Sequence, residues 1–128
     1  MGYVRPVLEY ASPVWHSGIT QKQINQIESI QKRVCRIILG HQYSTYSQAL
    51  SKLGLEPLSD RRTSLCTKFA LRKFKSGKFS EWFQKSKSSH SMSLRSGRTL
   101  EQHLCSTNRL KNRPIPYLTR LVNMCNPL

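Results

Sequence analysis

Acidic side chains are scarce in this chain of 128 residues: six, against 21 Lys and Arg, for a formal charge of +15. Asp60 is the only aspartate, and the glutamates are scattered. Two-metal phosphoryl transfer needs clustered carboxylates to hold its ions, so no such chemistry and no catalytic residue is expected. Long apolar runs are also missing. No stretch approaches the ~20 apolar residues of a membrane span, and Arg5, Pro6, Glu9 and Pro13 interrupt any apolar leader core near the start. The expectation is a nuclear or cytoplasmic chain, not secreted, with no membrane partner, no small-molecule substrate and no cofactor. Cysteine is sparse too. Cys35, Cys66, Cys105 and Cys125 lie far apart with no C-x-x-C pair, which predicts free thiols, mostly packed as small apolar groups. His103 and Cys105 are the one close His/Cys pair. Two ligands without two more nearby do not make a zinc site, so no metal is expected.

What is present is positive charge, unevenly spread. Residues 1–57 carry six basic and three acidic side chains, a net +3; residues 58–128 carry fifteen and three, a net +12. A chain this basic repels itself unless a polyanion is near. The second half is therefore the half expected to face one.

Helical periodicity dominates, strand alternation is weak, and the predicted fold is all-α: a small, irregular helical domain spanning 1–128. Val4, Val7, Leu8 and Ala11 suggest a short first helix stopped by Ser12-Pro13. Thr20 and Gln23 have the spacing of a capping box. Ile24, Ile27, Ile30, Val34, Ile37 and Ile38 follow at the spacing of one helical face, predicting a helix over 21–39 ended by Gly40. Within it Glu28 and Lys32 stand in the favourable i,i+4 order. Thr45 and Gln48 repeat the capping pattern before a helix over 46–53 closed by Gly54. Pro57 or Ser59 opens another, reaching about Lys75, with Gly77 beyond. A single turn is expected over 79–83, a flexible Ser/basic loop over 86–97, a weak helix over 99–105 and a last short helix over 117–122.

Long cations on one helix face can follow a phosphate backbone. At about 100° per residue, Arg61, Lys68, Arg72 and Lys75 fall in one narrow stripe. Arg62 and Lys73 land among the apolar residues and must snorkel or find partners. Arg33 and Arg36 on the long helix, and Arg109, Lys111 and Arg113 in the approach to the last helix, complete the candidate nucleic-acid-binding set. A solvated basic face is the alternative for each group. Tyr43, Tyr46 and Tyr117 could stack on unpaired bases or cap a core with their hydroxyls outward. Trp15 and Trp82 read as core anchors.

Four segments, in order, resemble one family. Tyr3–Trp15 (YVRPVLEYASPVW) is similar to the stretch after the polymerase core in non-LTR retrotransposon reverse transcriptases of the jockey-like, LINE type. Ile27–Ile38 (IESIQKRVCRII) resembles the basic helix that follows there. Leu53–Arg62 (LGLEPLSDRR) resembles the next leucine- and arginine-bearing turn, and Ile115–Asn123 (IPYLTRLVN) the end of such reading frames. The resemblance implies the thumb and C-terminal extension of an RNA-directed DNA polymerase, a region that grips template and primer. RNA or an RNA/DNA hybrid is the partner it implies. The family's paired aspartates, its endonuclease and its Cys/His knuckle have no counterpart here, and Met1-Gly2 stands where polymerase should precede. The expectation is a truncated copy or partial gene model, non-catalytic. Its alternative role is structural: helices that pack on a missing polymerase palm and bind nothing alone.

Overall fold

Thr20 opens the longest helix with both arms of its cap. Its hydroxyl accepts from the Gln23 backbone N–H at 3.4 Å, and Gln23 Oε1 accepts from the Thr20 N–H at 2.8 Å. Two of the amides that a helix start leaves without partners are thereby satisfied. The computed structural model describes residues 3–84 and 100–125; the expected loop over 86–97 lies outside them. The described residues are all-α, with helices α1 (Val4–Glu9), α2 (Ser12–Trp15), α3 (Gln21–Leu39), α4 (Tyr46–Leu53), α5 (Leu58–Ser76), α6 (Asn108–Lys111) and α7 (Pro114–Cys125). Thr45 and Thr107 cap α4 and α6 through their hydroxyls. Gly54 and Gly77 end α4 and α5 in the left-handed region, at φ +61° and +65°, where a Cβ would be strained.

Three expected boundaries are corrected. The last helix, expected over 117–122, runs Pro114–Cys125, since Pro114 at its first position needs no N–H partner and starts it earlier. Ser12-Pro13 does not end the helical region but begins α2, after a break at Ala11 in the left-handed conformation, φ +50°. Pro13 sits in the first turn, where no backbone N–H is needed. Trp15 Nε1 donates to the Tyr10 carbonyl at 2.7 Å and holds this sharp junction. The helix expected over 99–105 is absent from its described part: 101–105 has no helical turn. The reason is Asn123 on α7. Its side-chain amide accepts from Leu100 N–H at 3.0 Å and donates to Leu100 C=O at 3.1 Å, so the backbone groups of Leu100 are both taken. Leu100 itself is fully buried.

One apolar cluster joins α5 to α7: Cys66, Ala70, Leu118 and Val122, closed by Phe83 and Leu100. Leu58, Cys35, Ala49 and Leu50 are buried where α3, α4 and the start of α5 meet. Glu28 ties these three elements. Its carboxylate accepts from the Tyr46 hydroxyl and from the Leu58 backbone N–H at 3.2 Å, a negative charge at the positive end of α5. The expected Glu28–Lys32 pair does not form. Lys32 instead lies over the Tyr46 ring, 5.1 Å from its centroid.

The predicted apolar face of α3 is also only partly inside. The residues it buries are Gln31 and Cys35, while Ile30, Ile37 and Ile38 are exposed. At about 100° per residue, the mean direction of the isoleucines and Val34 lies roughly 70° from that of Gln31 and Cys35. The helix is rolled toward its polar anchors, Gln31 and Glu28. Gln31 Nε2 donates to Tyr46 Oη and to the Glu56 carbonyl, at 3.0 and 3.1 Å.

Candidate nucleic-acid interface

The basic stripe on α5 is split. Lys68, Arg72 and Lys75 are exposed, and among the described residues none of them makes an ion pair. Lys68 and Arg72 border a cleft of about 310 Å³ with Glu9, Pro13, Leu65 and Phe69, and with Lys75 they border a shallower one of about 530 Å³. Arg61 corrects the expectation. Its Nε lies 2.6 Å from Glu9 Oε1, joining α5 to α1, and Arg5 approaches the same carboxylate at 3.7 Å. Helical spacing placed Arg61 on the stripe, but the α1 carboxylate claims it. The stripe that remains free is Lys68, Arg72 and Lys75.

The two cations that fell among apolar residues resolve differently. Lys73 reaches out between the rings of Phe69 and Phe79, at 5.5 and 5.0 Å. Arg62 is fully buried. Its guanidinium lies over Trp15 at 5.6 Å, and its Nε donates to His16 Nδ1 at 3.4 Å. Its terminal nitrogens meet no acceptor among the described residues, and burial lowers its pKa. The His16 pKa is lowered as well, by burial first and by the Arg62 charge second. Arg62 is thus a structural group, out of reach of a ligand.

On α3, Arg33 and Arg36 are exposed. Arg36 covers the Tyr43 ring at 5.2 Å. The tyrosines weighed for base stacking are occupied in other ways. Tyr46 binds Glu28, and its phenol pKa is pushed up by burial first and by that bond second. Tyr117 is half-buried with His16 edge-on to its ring at 6.1 Å, and burial raises its phenol too. Cys35 and Cys66 are buried and unbridged; burial pushes the Cys66 thiol up to about 11 and that of Cys35 upward. Both pack as apolar groups.

Arg109 and Lys111 are exposed on α6, and Arg113 is exposed at the corner between α6 and α7. Periodicity passed over Arg120, which joins them: its guanidinium donates to the Lys111 carbonyl at 3.0 Å and lies over the Tyr117 ring at 5.9 Å. Its spacing of nine residues from Lys111 carries no local signal. Beside this cluster is a groove of about 550 Å³ with an almost wholly apolar wall: Val14 of α2, Trp82, Leu104, Leu110, Pro114 and Pro116, with Arg113 at its edge. Pro13 lines the α5 cleft and its neighbour Val14 lines this groove, so the exposed turn of α2 separates the two. Sequence reading had no means of finding the groove, since its walls come from four separate segments. No protein-family model, curated protein or solved structure matches the chain.

Proposed function

We propose that this chain binds nucleic acid through its phosphate backbone, without catalysis, as RNA or an RNA/DNA hybrid. The observation that carries the reading is the exposed row of Lys68, Arg72 and Lys75 on α5, none of which is ion-paired among the described residues; Glu9, the carboxylate on the adjoining cleft, is already paired with Arg61. Arg109, Lys111 and Arg113 add a second exposed basic group in the same half of the chain. Neutralising phosphates with such cations releases condensed counterions, so affinity falls steeply with salt. RNA over DNA rests on the resemblance of four segments to the thumb region of a LINE-type reverse transcriptase. The test is a titration of labelled single-stranded RNA, hybrid and duplex DNA at several salt concentrations. Binding at moderate salt with a steep salt slope is the expected result. Salt-independent binding, or none, would end this reading.

A second reading has its own observation. Val7 on α1 and the two residues that flank the helix, Tyr3 and Tyr10, are all exposed, at 75%, 93% and 80%. Together with Val14 they leave an apolar surface open. An N-terminal helix that packs on a polymerase palm would present such a face. On this reading the chain is a structural subdomain, and Val7→Asp would abolish its association with a supplied palm while leaving its fold intact. Retained association would count against it.

A further inference from the structure

The groove beside α6 and α7 combines three properties. Its walls are apolar: Val14, Trp82, Leu104, Leu110 and two prolines. Two of these are strongly exposed, Leu104 at 99% and Val14 at 66%, so apolar surface stands open to water at its mouth. The formally charged residue in its own lining is basic. Arg113 lines it, and on the other side of the 101–105 segment a neighbouring cleft of about 400 Å³ carries Lys111 and Arg120 against one carboxylate, Glu101.

The occupant that matches is flat and apolar in its body and anionic along its edge. We infer that the groove receives an unstacked base of a single-stranded nucleic acid, with the flanking phosphates on Arg113 and Lys111. This rests on the nucleic-acid reading and gives it a strand preference. A duplex keeps its base faces stacked inside and would have to expel a nucleotide to fill the groove. A single strand presents them already. Stacking on an aromatic wall beside cations is tolerant of sequence, because every base has a π-face.

The local structure suits the task. Phe79 stacks on Trp82 at 4.4 Å between centroids, which backs the indole from one face. Pro114 and Pro116 have fixed φ angles, and that wall has little freedom to lose when a ligand arrives. The expected preference is therefore for base-bearing strands over bare sugar-phosphate.

The test compares the whole protein's affinity for a twelve-nucleotide single strand with that for the same length made of abasic sugars, at each of several matched salt concentrations. The base-bearing strand should bind about tenfold tighter or more, the effect of one stacked base. Val14→Ser with Leu104→Ser, both exposed positions that leave the core alone, should shrink that ratio several-fold without changing the salt slope. Equal affinity for the two strands, with the salt dependence intact, would overturn the groove assignment and leave the phosphate-binding reading standing. Absence of binding to either strand would overturn both. Binding of an acidic, apolar peptide competing for the same groove, with no base dependence, would hand the groove to a protein partner.

Discussion

Arg62 donates from Nε to Nδ1 of His16, and this fixes the imidazole as the neutral tautomer with its proton on Nε2. That proton points to the Thr63 hydroxyl at 3.2 Å, and the Thr63 hydroxyl donates in turn to the Ser59 carbonyl at 3.0 Å. A buried arginine is thus the head of a one-way chain of hydrogen bonds that ends on the α5 backbone. Adding a proton to His16 removes the only acceptor that Arg62 has among the described residues and sets two cations face to face.

Stability should therefore fall with acid. The His16 pKa is lowered in the folded state from its ordinary 6.5. For a base, a lowered folded pKa means that the unfolded chain binds the proton more readily, so stability rises with pH across this window. The contribution is complete above pH 6.5 and is lost as pH falls from there through the lowered value. Urea midpoints at pH 7.5 and 5.5 should differ in that sense, and His16→Gln, which keeps an acceptor for Arg62 but does not titrate, should flatten the difference. Equal midpoints in the parent protein would refute the arrangement.

Glu28 should be the most sensitive charged residue of α3. Glu28→Gln weakens two charge-assisted hydrogen bonds, to Tyr46 and to the start of α5, and should destabilise by about 2 kcal/mol. Lys32→Gln should cost no more than about 1 kcal/mol, the worth of its exposed cation–π contact with Tyr46, since the helical ion pair is not made. Comparable losses for the two, in chemical denaturation, would restore the simple i,i+4 pair.

Ala11 is the one non-glycine residue at positive φ among the described residues. A Cβ there costs roughly 1–2 kcal/mol in the left-handed region. Ala11→Gly should raise the unfolding free energy by about 0.5–1 kcal/mol after the extra chain entropy of glycine is deducted. A loss instead would mean that the α1–α2 junction tolerates Ala11 without strain.

Two apolar helix residues, Ile37 and Leu58, should behave unequally. Ile37 is 73% exposed and Leu58 is fully buried. Ile37→Ser should stay within about 0.5 kcal/mol of the parent protein, whereas Leu58→Ala should lose about 2–5 kcal/mol. A large loss at Ile37 would place it in the core after all.

Arg61 and Arg72 were equivalent on the helical wheel and should separate in binding. Arg72→Gln should flatten the logarithmic salt slope by about one unit. Arg61→Gln should change it less, because the Arg61 charge is already answered by Glu9. Its effect should appear in stability, through the α1–α5 connection. Identical slopes for the two variants would show that the Glu9 pair opens for the ligand.

The helices α3 and α4 are legible in the sequence to the residue, and α5 nearly so. Their limits are set by groups that meet within a turn: Thr20 with Gln23, Thr45 with Gln48, and glycines that take a left-handed backbone. Such contacts need no tertiary structure, so the all-α fold and most helix ends were determined locally. The roll of α3, the non-helical 101–105 segment and the partners of the cations were decided by contacts between distant residues. Glu28 meets Leu58 across 30 positions, Arg62 meets His16 across 46 and Arg61 meets Glu9 across 52. Helical periodicity reports where a side chain points around its own axis. Only the packing of a second element decides whether that direction leads to water, to a carboxylate or into the core.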